Sequence, residues 1–202
     1  MFQNLIDKSM KKSPWLFHIN AGSCNGCDIE LVSVLTPRYD AERFGFRLTG
    51  TPRQADIVVV SGPITMQSRD RLIRTLAQVP EPKCVVSLGS CPRSGNVFKG
   101  SFAIDGPLEK YTHVDVSIGG CTPKPEAIVA GLAKASAILE EKRKAMRKGG
   151  IEAVRRMENE AEQHRTAQPD QNIAAAVTEE KAAKTSAPVV PLSADNTVKE
   201  AK

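Results

Sequence analysis

Residues Asp56-Ile57-Val58-Val59-Val60-Ser61-Gly62-Pro63 form an unbroken β-branched run closed by Gly-Pro. A run of that kind, with no polar alternation, suits a central parallel strand covered on both faces. Three further runs resemble it: Trp15–Asn20, Lys83–Ser90 and His113–Ile118. Between them lie segments with helical spacing, Asp28–Leu35 and Ser68–Val79, and a longer one starts at Pro125 with Ala127, Ile128, Val129, Leu132, Ala135, Ile138 and Leu139. A short strand is also expected at Phe46–Leu48. Strands alternating with helices imply βαβ units and a mostly parallel sheet with right-handed crossovers. The expected fold is therefore α/β, a flavodoxin-like parallel sheet flanked by helices.

The 202 residues divide by composition into an N-terminal arm (1–12), an α/β domain (13–145) and a tail (146–202). The tail starts charged and Ala-rich, is expected to break at Gly149-Gly150, and reads as a solvated helical piece followed by disorder. Arg93–Thr112, with Gly95, Gly100, Gly106 and Pro107, reads as a long loop, and long loops in compact domains are often functional.

The chemistry lies in five cysteines. Cys24 and Cys27 form a Cys-x-x-Cys pair in the Gly22–Asp28 loop, just after the first strand. Cys91 directly follows the third of these strands and Cys121 the fourth. In an open parallel sheet all strands end at one edge, and ligands bind in the crevice there. The four thiols are thus expected at one edge. Cys84 opens the third strand; at about 3.3 Å per residue it stands ~20 Å from Cys91. It is read as a small buried hydrophobe.

Four thiolates from three loops suit a [4Fe–4S] cluster or a tetrahedral zinc. Structural zinc more often takes two short Cys-x-x-Cys pairs, whereas here two single cysteines follow one pair. A redox dithiol would leave Cys91 and Cys121 unexplained. Gly22, Gly26, Gly89, Gly119 and Gly120 allow backbone N–H groups to approach the sulfurs. A flavin or nucleotide carrier is the weakest alternative, because no Gly-rich phosphate fingerprint follows the first strand.

Net charge is +5, and the tail from Thr166 holds four lysines against five acids, so the basic excess precedes it. No Lys/Arg block is interleaved with aromatics, so nucleic acid is not an expected partner. No segment approaches the ~20 apolar residues of a membrane span, and the N-terminus lacks a secretory apolar core. In a cytoplasmic setting, five cysteines favour metal or cluster binding over disulfides.

Six stretches together resemble one superfamily: Cys24-x-x-Cys27-Asp28-Ile29-Glu30, Val60-Ser61-Gly62-Pro63-Ile64-Thr65, Pro80-Glu81-Pro82-Lys83, Ser87-Leu88-Gly89-Ser90-Cys91, Val114-Asp115-Val116, and Gly120-Cys121-Thr122-Pro123-Lys124-Pro125-Glu126-Ala127. It holds the 20 kDa (B) subunit of respiratory complex I and the small subunits of energy-converting, membrane-bound [NiFe] hydrogenases. The similarity covers about residues 13–140. The complex I subunit has adjacent cysteines at the first motif, and the hydrogenase subunits have Cys-x-x-Cys, as here. The chain therefore resembles the group 4 hydrogenase small subunit of the Ech, Mbh or formate hydrogenlyase type. It departs at Gly119-Gly120-Cys121-Thr122-Pro123, where Pro-Gly-Cys-Pro-Pro is frequent, and in its long tail.

The resemblance implies an oxidoreductase subunit with one proximal [4Fe–4S] cluster on Cys24, Cys27, Cys91 and Cys121 and no acid–base centre of its own. It implies a [NiFe] large subunit, a ferredoxin-like iron–sulfur subunit and integral membrane subunits as partners, ferredoxin as external carrier, and a peripheral place on the cytoplasmic side of the membrane. The alternatives are a complex I-like B subunit and a zinc-stabilised α/β binding module. Among other residues, Arg93 reads either as tuning a cluster or as an interface arginine. Glu30 reads either as a proton or bracing group or as a surface carboxylate. His18 is read as a hydrogen-bonded strand histidine rather than a ligand.

Overall fold

The computed structural model describes residues 13–167. The expected arm (1–12) and the disordered end of the tail lie outside the described residues. The described residues 13–162 make one compact unit, and of the second unit only residues 163–167 are described.

Five strands form one parallel sheet: β1 (Trp15–Asn20), β2 (Arg47–Leu48), β3 (Ile57–Ser61), β5 (Cys84–Leu88) and β7 (Val116–Ile118). Their order, β2-β1-β3-β5-β7, is the flavodoxin-like one, with the switch point between β1 and β3. A small antiparallel pair, β4 (Ile64–Thr65) with β6 (Ile104–Gly106), stands apart. The helices are α1 (Gly26–Leu35), α2 (Met66–Leu76), α3 (Cys91–Ser94) and α4 (Pro125–Ala167).

Every residue of β3 and β5 is buried, as expected of strands covered on both faces. Alternation sorts their side chains into two cores. Ile57 and Val59 join Leu16, Val86, Leu31 and Val34 of α1, and Ile128, Leu132 and Leu139 of α4. Val58, Val60 and Val85 join Leu72 and Leu76 of α2. Burial of an aliphatic side chain is worth about 1.5–3 kcal/mol, so these two layers dominate the fold's stability. Gly131 lets α4 lie close on the sheet, since a Cβ there would stand 2.5 Å from Ile118 Cγ1.

Three of the differences from expectation have a visible structural cause. α2 starts at Met66 rather than Ser68 because Thr65 is its N-cap: Ser68 N donates to Thr65 Oγ1 and Thr65 N to Ser68 Oγ. β7 starts at Val116 rather than His113; the Val85 N–H that would extend the ladder goes to the Asp115 carboxylate instead. The 93–112 segment is broken by short helical turns and by β6, which pairs with β4.

α4 bends at Gly150, whose φ is +68°. Sixteen residues of straight helix would span about 24 Å, yet Lys142 Nζ lies 2.6 Å from Glu158 Oε1. The chain therefore reverses at the expected Gly149-Gly150 break. The second piece is not wholly solvated: Val154 is buried, and Glu158 holds Lys142.

That contact closes a charged cluster at the N-terminal edge of the sheet. Lys142 Nζ also lies 2.7 Å from Asp115 Oδ1 and donates to Lys83 O at 3.1 Å. Arg143 pairs with Asp56, whose other oxygen accepts from Trp15 N. Burial disfavours both charged forms, but the pairing outweighs it, leaving Asp115 below its ordinary pKa and Lys142 above.

Candidate metal centre

The register of the sheet fixes the site. Asn20 pairs with Ser61, Ser61 with Leu88, and Leu88 with Ile118, so four strands end in one row. The loops that leave this row carry Cys24 and Cys27, Cys91, and Cys121. Cys84 pairs with Ile57 at the opposite edge.

Cys27 and Cys91 feel the charge of the other thiols at this edge. Burial raises the Cys27 thiol to about 11, and charge on Cys91, Cys24, Asp28 and Cys121 pushes it the same way. Cys91 is raised by burial, opposed by a hydrogen bond from Asn96 and reinforced by Cys121 and Cys24. Cys84 is raised by burial and by Asp115, with Lys142 opposing, and these neighbours belong to the opposite edge. Cys24 and Cys121 are exposed, Cys27 is buried and Cys91 lies between.

Backbone and glycine geometry hold the loops together. Gly89 N donates to Ile118 O, Ser90 N to Gly120 O and Gly120 N to Ser90 Oγ. These bonds tie the Cys91 loop to the Cys121 loop. Gly89 has φ +87°, and a Cβ on it would stand 2.7 Å from Cys27 Sγ. A Cβ on Gly26 would stand 3.6 Å from Cys24 Sγ and 2.6 Å from Thr122 Cγ2. Gly89 thus keeps side-chain bulk off the Cys27 sulfur, and Gly26 lets the Cys24 loop pack close to Thr122, a cradle that suits a bulky inorganic group. Thiolates alone, with no histidine among them, are the donor set of iron–sulfur clusters and of four-cysteine zinc sites. Among the described residues, no group of three or more His, Cys, Asp or Glu side chains is drawn together so as to hold a metal ion.

The polar residues around Cys24 and Cys27 carry a network that the sequence reading did not assemble. In β1, Leu16 faces the α1 side of the sheet, so by alternation His18 and Asn20 do too. Ser61 shares that side with Ile57 and Val59. There they meet Asp28, in the first turn of α1. Asp28 Oδ1 accepts from Ser61 Oγ at 2.5 Å and lies 3.0 Å from His18 Nε2. Asp28 Oδ2 accepts from Ser23 Oγ at 2.6 Å and from Asn20 Nδ2 at 2.7 Å. Burial pushes the Asp28 carboxyl up, but hydrogen bonds from Ser23 and Ser61 and the charge of His18 outweigh it, so it titrates below the ordinary carboxylate range. His18 also lies 2.9 Å from Ser61 Oγ, as a strand histidine with partners. Glu30 is half-buried, with Oε2 3.5 Å from Ser33 Oγ; Arg93 is exposed on α3.

The period-two pattern of Leu16-Phe17-His18-Ile19-Asn20 carried the signal for this network. It places two polar side chains on a face that is otherwise core.

The pattern of the family described as NADH ubiquinone oxidoreductase, 20 Kd subunit, matches residues 24–135. The chain is 49% identical over 153 residues to the probable membrane-bound hydrogenase subunit mbhJ of Pyrococcus furiosus, covering 76% of this chain and 89% of that one. It is 39% identical over 135 residues to formate hydrogenlyase subunit 7 of Escherichia coli, covering 67% of this chain and 53% of that longer one. Among solved structures, a chain of the membrane-bound sulfane sulfur reductase, an archaeal respiratory membrane complex, aligns with 35% identity and a TM-score of 0.60, covering 79% of this chain and 90% of that one. No helix of the described residues is long and apolar enough to cross a membrane.

Proposed function

The chain belongs to the family of the 20 kDa subunit of NADH ubiquinone oxidoreductase, and on that premise we propose that it is the electron-transfer subunit of a membrane-bound [NiFe] hydrogenase complex. In this reading Cys24, Cys27, Cys91 and Cys121 hold one [4Fe–4S] cluster. What supports it is that the loops bearing these four thiols leave one edge of the sheet, with Cys84 at the other. When bound, such a cluster supplies reversible one-electron transfer.

The chain's own residues perform holding and docking. The thiols at the edge provide anionic ligands once deprotonated. Gly89 keeps carbon bulk off Cys27, and Gly26 allows the close approach of Thr122 to the Cys24 loop. No nucleophile or general acid is required of the chain, because hydrogen conversion belongs to a separate large subunit. Electrons pass between that subunit and a ferredoxin-like iron–sulfur subunit, with ferredoxin as external carrier, while integral membrane subunits couple the reaction to ion movement. The subunit sits peripherally, on the cytoplasmic side. The relatives named as subunits of membrane-bound hydrogenase and formate hydrogenlyase support this assignment.

A second reading has one specific support. The alignment with a sulfane sulfur reductase chain favours a complex of the same architecture whose large subunit reduces sulfur instead. The partner subunit decides between them: a co-purifying large subunit with two Cys-x-x-Cys motifs and bound nickel supports the hydrogenase, and its absence of nickel favours the reductase.

Iron and acid-labile sulfide analysis on anaerobically prepared protein tests the cluster itself. About four of each per chain are expected from the proposed cluster type. Zinc without sulfide sinks the reading and leaves the zinc-stabilised module.

A further inference from the structure

We propose that Asp28 is the positioning residue of the Cys24–Cys27 half of the site, fixing both thiols to the sheet through His18, Asn20, Ser23 and Ser61. The inference rests on the cluster reading above and adds a role that the ligand set does not contain.

A first-turn aspartate ordinarily serves its own helix, through the free N–H groups or the macrodipole. Asp28 does neither by hydrogen bond: all four of its side-chain contacts go elsewhere. Two of the partners, His18 and Ser61, sit in adjacent central strands β1 and β3. The other two belong to the end of β1 and the loop that leaves it. The carboxylate therefore joins the start of α1 to the C-terminal row of the sheet at the switch point.

The same network continues through the backbone around Cys24. Asn20 Oδ1 accepts from Gly22 N at 2.9 Å and from Ser23 N at 2.8 Å. Ser23 Oγ accepts from Asn25 N at 3.0 Å. Residues 22, 23 and 25 are each held, with Cys24 between them, and Asp28 directly follows Cys27. Asn25, with φ 66°, has no side-chain cap bond to α1, so the helix start is not fixed by ordinary capping.

The other half of the site is held differently. Cys91 and Cys121 are tied together by the Gly89, Ser90 and Gly120 backbone bonds, none of which involves Asp28. Removal of the Asp28 carboxylate leaves Ser61 and His18 only each other, at 2.9 Å, and takes from Ser23 and Asn20 the acceptor that ties them to α1. Loss of that shared acceptor breaks the link between sheet, loop and helix, and the rearrangement falls on the Cys24–Cys27 loop.

The test uses the full chain, prepared anaerobically, as wild type, Asp28→Ala, Asp28→Asn and Ser23→Ala. Iron, sulfide, the EPR spectrum of the reduced protein and its midpoint potential are read. In Asp28→Ala, iron retention against a chelator falls about tenfold or more, as for other residues that orient metal ligands, and the spectrum changes. Asp28→Asn can rebuild the contacts, with its amide toward Ser61 and His18 and its carbonyl toward Ser23 and Asn20. It restores iron retention, with a more positive potential because a neutral group no longer opposes the added electron. Should Asp28→Ala fail to fold, Ser23→Ala, which removes one carboxylate bond and the Asn25 N–H bond, must still alter the spectrum. Wild-type retention and spectrum in Asp28→Ala, or in Ser23→Ala where the former is unfolded, overturn the proposal. Wild-type protein without iron and sulfide overturns the cluster reading itself.

Discussion

Cys84 and Cys91 are seven residues apart and stand at opposite edges of the sheet: Cys84 pairs with Ile57 where β5 begins, and Cys91 opens α3 beyond its far end. Their surroundings differ accordingly. Cys84 feels the charges of Asp115 and Lys142, and Cys91 those of Cys121 and Cys24.

This separation predicts the outcome of two single substitutions. Cys91→Ala abolishes the EPR signal of the reduced, anaerobically prepared chain. Cys84→Ala leaves the signal in place and costs stability only as a small cavity, on the order of 1 kcal/mol or less. Equal loss of signal in both would contradict the assignment of the site to one edge.

Gly89 is expected to tolerate no side chain. An alanine there meets the left-handed backbone cost of about 1–2 kcal/mol and drives its Cβ toward Cys27 Sγ. Gly89→Ala should therefore lower both the denaturation midpoint and the iron content. Gly100→Ala is the control: its φ is also positive, but nothing lies near its Cβ, so it should lower the midpoint alone.

Lys142 is buried to 3% exposure between Asp115 and Glu158. Lys142→Ala leaves the buried Asp115 carboxylate with only His113 and the Val85 N–H as partners, a loss of up to about 3–5 kcal/mol. Urea unfolding measures it. A paired replacement, Lys142→Met with Asp115→Leu, should recover part of the loss, because neither new side chain needs a partner, and only part because the Val85 N–H loses its acceptor.

The same pair fixes a dependence on pH. Asp115 has a depressed pKa, so its contribution is present above the unfolded value of about 3.9 and is lost as pH falls below it. Lys142 has a raised pKa, so its contribution is complete below the unfolded value of about 10.4 and is lost as pH rises beyond it. Unfolding midpoints should fall at both ends of the range, and the Met/Leu pair should flatten both limbs.

Gly131 separates two opposed effects. Alanine is the better helix former by about 1 kcal/mol, but its Cβ overlaps the Ile118 side chain, and overpacking costs about 1–3 kcal/mol. The net effect expected is destabilisation, measured by thermal unfolding. Ile118→Ala in the same chain should turn the Gly131→Ala step favourable.

The parallel sheet was legible because Ile57–Ser61 and Cys84–Leu88 are unbroken apolar runs, and Gly or Pro marks their ends. The strand termini then carried the cysteines to one edge without any knowledge of packing. Three features resisted the same treatment. The reversal at Gly150 makes Glu158 a partner of Lys142, and periodicity cannot show which way a chain turns. The start of β7 depended on a side chain, Asp115, replacing a backbone partner. The Asp28 network needed β1, β3 and α1 placed together, although alternation in β1 already put His18 and Asn20 on the core side.

The row Asn20, Ser61, Leu88 and Ile118 has a bearing on biogenesis. No short fragment of the chain contains the whole donor set, since the first and last thiols leave from strands on opposite sides of β3. A register slip of one residue at any seam shifts a loop by about 3.3 Å and turns its side chains to the other face. On the proposed ligand set, a cluster would be held only by a chain whose strands have all locked in register.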